Sequence, residues 1–125
     1  MREIKFRAWD SDEKTMCPVY ELHFGERIIV ARVNARNGKM LLVFSDETNL
    51  MQYTGVKDKN GVEIYEGDIL LDDFAEEYYI VKFFDGAFIA ECDGVIYDLA
   101  DVALITAVVG NIYENPELVS NETDT

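Results

Sequence analysis

The sequence predicts a mostly β chain, rich in hairpins and built in two parts. Three observations predict it. Four Asx-Gly dipeptides punctuate the chain: Asn37-Gly38, Asn60-Gly61, Asp85-Gly86 and Asp93-Gly94. Each is the preferred pair for a two-residue type I′ turn, in which both central residues take positive φ. Apolar and polar residues alternate on the flanks of these turns, as a strand with one buried face requires. No window of a dozen residues places its apolar groups at the helical period of roughly 3.6 residues.

The elements follow in order. Ile4, Phe6 and Ala8 share one side of a first strand that ends at Trp9, before the turn cluster 10–14. A second strand runs from Met16 to Phe24. Mirror pairing about Asn37-Gly38 sets Val33 opposite Leu42, Ala35 opposite Met40 and Ala31 opposite Phe44, with Arg32, Asn34, Arg36 and Lys39 on the other face. About Asp85-Gly86 it sets Phe83 opposite Phe88, Val81 opposite Ala90 and Tyr79 opposite Cys92. About Asp93-Gly94, Cys92 faces Val95 and Ala90 faces Tyr97. Residues 77–98 therefore read as a meander that turns Tyr79, Phe83 and Phe88 into a core. Ile80, Phe84 and Ile89 fall on its second face, which is expected to be covered by the N-terminal half or by another copy.

One helical turn is expected near 98–102, with Asp98 as its cap. A closing strand from Leu104 to Tyr113 and a frayed tail follow. Strand, meander, helical turn and closing strand come in the order of an SH3-like small barrel. The expected division is an N-terminal β subdomain over 1–54, a C-terminal SH3-like barrel part over 55–118 and a flexible tail over 119–125.

With 125 residues, 49% of them apolar, the chain is long enough to bury a core without staples. Its net charge is −14, and the charge is uneven. Residues 1–40 carry 8 Lys/Arg against 6 Asp/Glu, whereas residues 41–125 carry 3 against 19. Such a surface repels phosphate backbones, so direct nucleic-acid binding is not expected; a basic protein partner is permitted, and solubility alone is the other reading of the charge. The longest apolar run, Leu99 to Val109, is too short to span a bilayer, and no secretory pattern opens the chain. Cys17 and Cys92 share no metal or redox spacing and are expected to be reduced, packed thiols of a cytoplasmic protein.

Residues suited to catalysis are sparse. His23 is the only histidine, set in a strand pattern between Leu22 and Phe24. No serine sits in a nucleophile elbow, and Gly55, Gly61 and Gly67 are not followed by the Lys-Ser or Lys-Thr of a phosphate loop. Asp58-Lys59-Asn60-Gly61 resembles the middle of a calcium loop. Val56 and Gly67, however, stand where that loop needs ligands. Asp68, Asp72, Asp73, Glu76 and Glu77 are the one run of carboxylates able to hold a divalent ion if their loop curls around it. No cofactor is expected.

Three blocks carry a family resemblance. They are Arg2-Glu3-Ile4-Lys5-Phe6-Arg7-Ala8-Trp9-Asp10, then residues 51–69 with Tyr53-Thr54-Gly55, Asn60-Gly61 and Glu66-Gly67-Asp68, then Val109-Gly110-Asn111-Ile112-Tyr113-Glu114-Asn115-Pro116-Glu117-Leu118. In that order they resemble the YopX family of phage and prophage proteins. The resemblance implies a bacterial host cell, a mostly β fold with an SH3-like part, and self-association; it brings no catalytic residue. Within the central block, Gly55 and Gly61 are expected to supply positive φ. Gln52, Tyr53, Asp58, Tyr65, Glu66 and Asp68 are either scaffold or a recognition surface, which Asp72, Asp73, Glu76 and Glu77 would extend.

The leading expectation is a non-enzymatic accessory protein that binds a basic host or phage protein, as a decoy for its nucleic-acid site, and self-associates. A divalent-metal enzyme or binding module on the 68–77 carboxylates is the first alternative. A structural homo-oligomer is the second.

Overall fold

The computed structural model describes residues 3–25, 28–35, 38–44 and 49–120. It is mostly β, with antiparallel pairing throughout and one short helix. The chain divides into two compact units, Met1–Gln52 and Tyr53–Thr125. No helix among the described residues is long and apolar enough to cross a membrane.

In the first unit, β1 (Phe6–Asp10) and β2 (Thr15–Phe24) form a hairpin with Ala8 opposite Cys17. Asp10 is buried and accepts the amides of Asp12 (3.1 Å) and Glu13 (3.3 Å), so a side chain sets the turn that the sequence marks only as polar. β3 (Ile29–Ala35) and β4 (Gly38–Phe44) extend the sheet, and Leu50 to Gln52 at the start of β5 (Leu50–Lys57) pair with β1 on its other side. Ala8, Cys17, Ala31, Val33 and Leu50 form the core, with Phe6, Val19, Leu22, Ile29 and Leu42 packed on it. Ile4 lies before β1 and is exposed.

The β3–β4 register differs from the expected one by two residues. Val33 faces Met40, Ala31 faces Leu42, and Ala35 faces Gly38. A shift of two keeps every side chain on its own face, so alternation alone cannot detect it. The expected turn residue Asn37 lies outside the described residues, as does the tail 121–125.

In the second unit, the rest of β5 pairs with β6 (Glu63–Tyr65). Tyr53 faces Tyr65 and Lys57 faces Glu63, so β5 carries extra residues between these pairs. The Thr54 hydroxyl fills the interrupted ladder: it donates to the Ile64 carbonyl (2.8 Å) and accepts from the Val56 amide (3.2 Å). Gly55, at φ 86°, makes the bulge possible.

A five-stranded sheet follows, built from β7 (Asp68–Asp72), β8 (Glu77–Phe84), β9 (Ala87–Cys92), β10 (Val95–Asp98) and β11 (Ala107–Asn111). Its order is β10-β9-β8-β7-β11. The meander spans the expected residues, with Phe83 opposite Phe88, Val81 opposite Ala90, Cys92 opposite Val95 and Ala90 opposite Tyr97. Asp85-Gly86 and Asp93-Gly94 have φ of 52° and 81°, and of 50° and 79°, as type I′ turns need. Asp98 caps α1 (Leu99–Ala103) by accepting the Ala100 amide at 3.0 Å. The closing strand then returns to pair with β7.

Ile64, Leu70, Tyr79, Val81, Ala90, Cys92, Leu99, Val102 and Ala103 make the core of this unit. Three expectations are corrected here. Phe83 is 55% exposed, because it sits beside the turn at the sheet's end and stacks edge-on to Phe88 (5.1 Å) at the margin of the core. The closing strand is shorter than expected, since Leu104 and Ile105 follow α1 as exposed turn residues. Val119, placed in a flexible tail by its polar neighbours, is buried against Ile69 and Ile80 with Leu118 and Tyr78. The 3-10 turn Pro116–Leu118 delivers it there, so part of the meander's second face is covered from within the unit.

The block 109–116 has a steric logic. A Cβ on Gly110 would fall 2.6 Å from Asn115 Cγ, and that Asn115 side chain accepts the Asn111 amide (3.2 Å). Gly110→Ala is therefore expected to lower stability by about 1–3 kcal/mol, as overpacking does. The shift of the urea midpoint at unchanged m-value measures it.

Candidate functional site

The candidate residues of the second unit separate into a buried set and a surface set. Asp58 is buried, and its carboxylate is fully engaged with backbone amides. Oδ1 accepts from Asn60 (2.8 Å) and Val62 (2.9 Å), and Oδ2 accepts from Val108 (2.8 Å). The loop it organises is not the expected type I′ turn. Gly61 donates to the Asp58 carbonyl (3.0 Å) and alone takes positive φ there (81°), which is a type I turn followed by a glycine bulge. The aspartate supplies what the dipeptide rule does not consider, an acceptor for the turn's own amides.

Asp68 is also buried, and its Oδ2 accepts the Tyr65 amide at 2.7 Å. Tyr53 is buried with its ring 5.6 Å from that of Tyr65. Tyr65 and Glu66 are half-buried. Half-buried Gln52 belongs to the first unit, opposite Phe6. Tyr53, Asp58 and Asp68 are thus buried and expose little side-chain surface.

The surface set gathers at the end of the sheet where β7 turns into β8. Asp72 accepts the amides of Phe74 (3.1 Å) and Ala75 (3.2 Å), fixing a turn in which Glu76 takes φ 57°. Phe74 is held almost fully exposed at its tip. Asp73 meets Lys59 at 3.4 Å. Glu77 Oε2 accepts from the Tyr79 hydroxyl (3.3 Å) and from the buried Cys92 thiol (3.8 Å). That thiol also reaches Asp93 Oδ2 (3.9 Å), so the carboxylates of Glu77 and Asp93 flank one sulfur. Sequence reasoning missed Asp93 and Cys92 as members of this end. The mirror register about Asp85-Gly86 contained the signal, because continuing it past Tyr79 and Cys92 brings Glu77 beside Gly94.

Electrostatics follow from these contacts. Burial opposes ionisation of Asp58, but the amides of Val108, Val62 and Asn60, with Lys59 nearby, outweigh it and hold the carboxyl below its ordinary value. Burial, and then the Glu77 carboxylate, push the Tyr79 phenol up to about 12. Burial, and then Asp10, raise the Cys17 thiol. Among the described residues no three of His, Cys, Asp and Glu are placed to share a cation. Asp68, Asp72 and Asp73 each serve a different local partner instead of converging. His23 lies on the exposed face of the first unit, 2.7 Å from Glu21, which also meets Arg32 at 3.2 Å.

The model of the YopX protein family matches residues 5–120. A crystal structure of protein EF1440 from Enterococcus faecalis is similar, with a TM-score of 0.66 and 33% identity over 95% of this chain and 99% of that one. No curated protein matches the chain.

Asp58→Ala leaves three amides without their acceptor and is expected to cost about 2–3 kcal/mol. A carboxyl depressed in the folded state contributes stability that is complete above its unfolded value of about 4 and is lost as pH falls through the folded value. Asp58→Asn is therefore expected to flatten the acid limb of the stability profile. Urea melts from pH 7 down to pH 2 read both effects.

Proposed function

The chain belongs to the YopX family, and from its charge distribution we propose a non-enzymatic accessory protein that binds a basic protein partner through its second unit. One observation carries this. Residues 1–52 hold 8 Lys/Arg and 8 Asp/Glu, while residues 53–125 hold 3 against 17, so the whole net charge of −14 resides in the second unit. Asp73, Glu76, Glu77 and Asp93 bring part of it to the end of the sheet whose β7–β8 turn also carries the exposed ring of Phe74. A carboxylate-dense end with an aromatic tip suits a cationic surface that also offers an apolar contact. In a phage or prophage setting, a cytoplasmic host or phage protein whose basic face binds nucleic acid fits this chemistry, and the unit would act on it as a decoy.

A pull-down from host lysate, eluted by a salt gradient and identified by mass spectrometry, tests the reading. The expected result is a basic partner whose release tracks ionic strength, with affinity lowered roughly tenfold or more by Glu76→Lys combined with Asp73→Lys. A partner of neutral charge, retained unchanged at high salt, would overturn it.

A second reading, self-association, has its own observation. β4 ends the strand order of the neutral first unit, and Leu41 and Val43 on it are 50% and 62% exposed. An apolar edge of this kind is a template for pairing with another chain. Sedimentation should show a concentration-dependent oligomer that Leu41→Lys with Val43→Lys dissociates. A wild-type monomer at all accessible concentrations would remove this reading.

A further inference from the structure

We infer that the free edge of β10 is a strand-addition site for a short, extended, lysine- or arginine-bearing segment of a protein partner. The inference rests on the basic-partner reading and specifies how such a partner is held. The five-stranded sheet has two edges, and they are treated differently. The β11 edge is occupied. The Val108 amide donates to Asp58 Oδ2 (2.8 Å), the Lys59 amide donates to the Thr106 carbonyl (3.1 Å), and the β7–β11 register is interrupted between Val108 and Gly110. Bulging and covering are both devices that stop an edge from pairing.

β10 has neither. Its register with β9 is uninterrupted from Val95 to Asp98, no strand lies beyond it among the described residues, and it contains no lysine or proline. All four of its residues are exposed, Val95, Ile96 and Tyr97 by 50%, 47% and 40%. Because Cys92 and Val95 close a two-residue hairpin, they form a hydrogen-bonded pair, and pairs alternate from there. The N–H and C=O of Ile96 consequently point away from β9, toward the open side.

The surroundings select the occupant. Val95 and Tyr97 continue the apolar face of Tyr79 and Ala90, with the Tyr97 ring 5.5 Å from that of Tyr79. Asp93, Asp98 and Asp101 are exposed at the strand's two ends, within a unit of 17 carboxylates and 3 lysines. A second copy would set two such units side by side, and the repulsion disfavours it. An extended segment alternating apolar and cationic side chains meets both the apolar strand and the carboxylates, while its main chain pairs with Ile96. The short length of β10 limits that segment to a few residues.

The test uses the full chain and a short fluorescent peptide of alternating lysine and valine. A second peptide has the same sequence with alternate amides N-methylated, which removes hydrogen bonds on one strand edge and leaves its charge unchanged. The modification sits on the peptide, so the folding of the protein is not at stake. The expected result is that N-methylation weakens binding roughly tenfold or more, and that the Ile96 amide moves most in an NMR titration. Equal binding of both peptides, with shifts confined to the 72–77 turn, would overturn strand addition while leaving the basic-partner reading standing. If neither peptide binds at low salt, strand addition is again overturned, and the salt-gradient experiment alone judges the broader reading.

Discussion

Two oxygens of one buried carboxylate hold the second unit closed: Oδ1 of Asp58 takes the amides of its own loop, and Oδ2 takes the amide of Val108, 50 residues further on. A neutral amide in that place offers a single acceptor oxygen, and a longer side chain would overshoot the loop. Burial alone would favour the protonated form. Three short charge-assisted bonds reverse that preference, which is why a charge is stable where little water reaches it. Through Val108 the same group fixes β11 against β7, and with the Lys59 amide it covers the sheet edge that β11 would otherwise expose.

This closure decides which surfaces remain. With the β11 side occupied, β10 is the edge left without a strand beside it among the described residues. The turns at the far end of the sheet then carry much of the exposed charge. A good part of the acidity has a local cause. Asp72 and Asp98 bind the amides of a turn and a helix, and Asp85 and Asp93 sit at the positive-φ positions of type I′ turns. Aspartate is favoured there for its short acceptor side chain and its tolerance of that backbone. Asp73, Glu76 and Glu77 are not required by any turn, and they give the second unit a charge surplus at the place where Phe74 protrudes.

The two units illustrate different ways of meeting a sheet's demands. In the first, the core is one face of a hairpin sheet, where the small residues Ala8 and Ala31 are covered by larger neighbours such as Phe6, Leu22 and Leu42. In the second, a helical turn and a short strand are folded over the sheet, so Leu99, Val102 and Ile64 cap a core that the meander alone could not enclose. The 3-10 turn at Pro116 does the same on the other side by placing Val119 over Ile69 and Ile80.

By itself the sequence determined the mostly β class, the meander from 77 to 98, the Asp98 cap and the excess of negative charge, because each follows from neighbours a few residues apart. Alternation sets a face, an Asp-Gly pair sets a turn, and a carboxylate before an apolar run sets a cap. Tertiary structure decided what depends on distant pairing. It settled the two-residue register at β3–β4, the burial of Asp58 and Asp68, the exposure of Phe83, the anchoring of Val119 and the meeting of Glu77, Cys92 and Asp93. An aspartate in a loop reads alike whether it faces water or accepts an amide 50 residues away. Only the closed fold distinguishes the two, because an ionised group in a dry site is stable only when the chain brings donors to it.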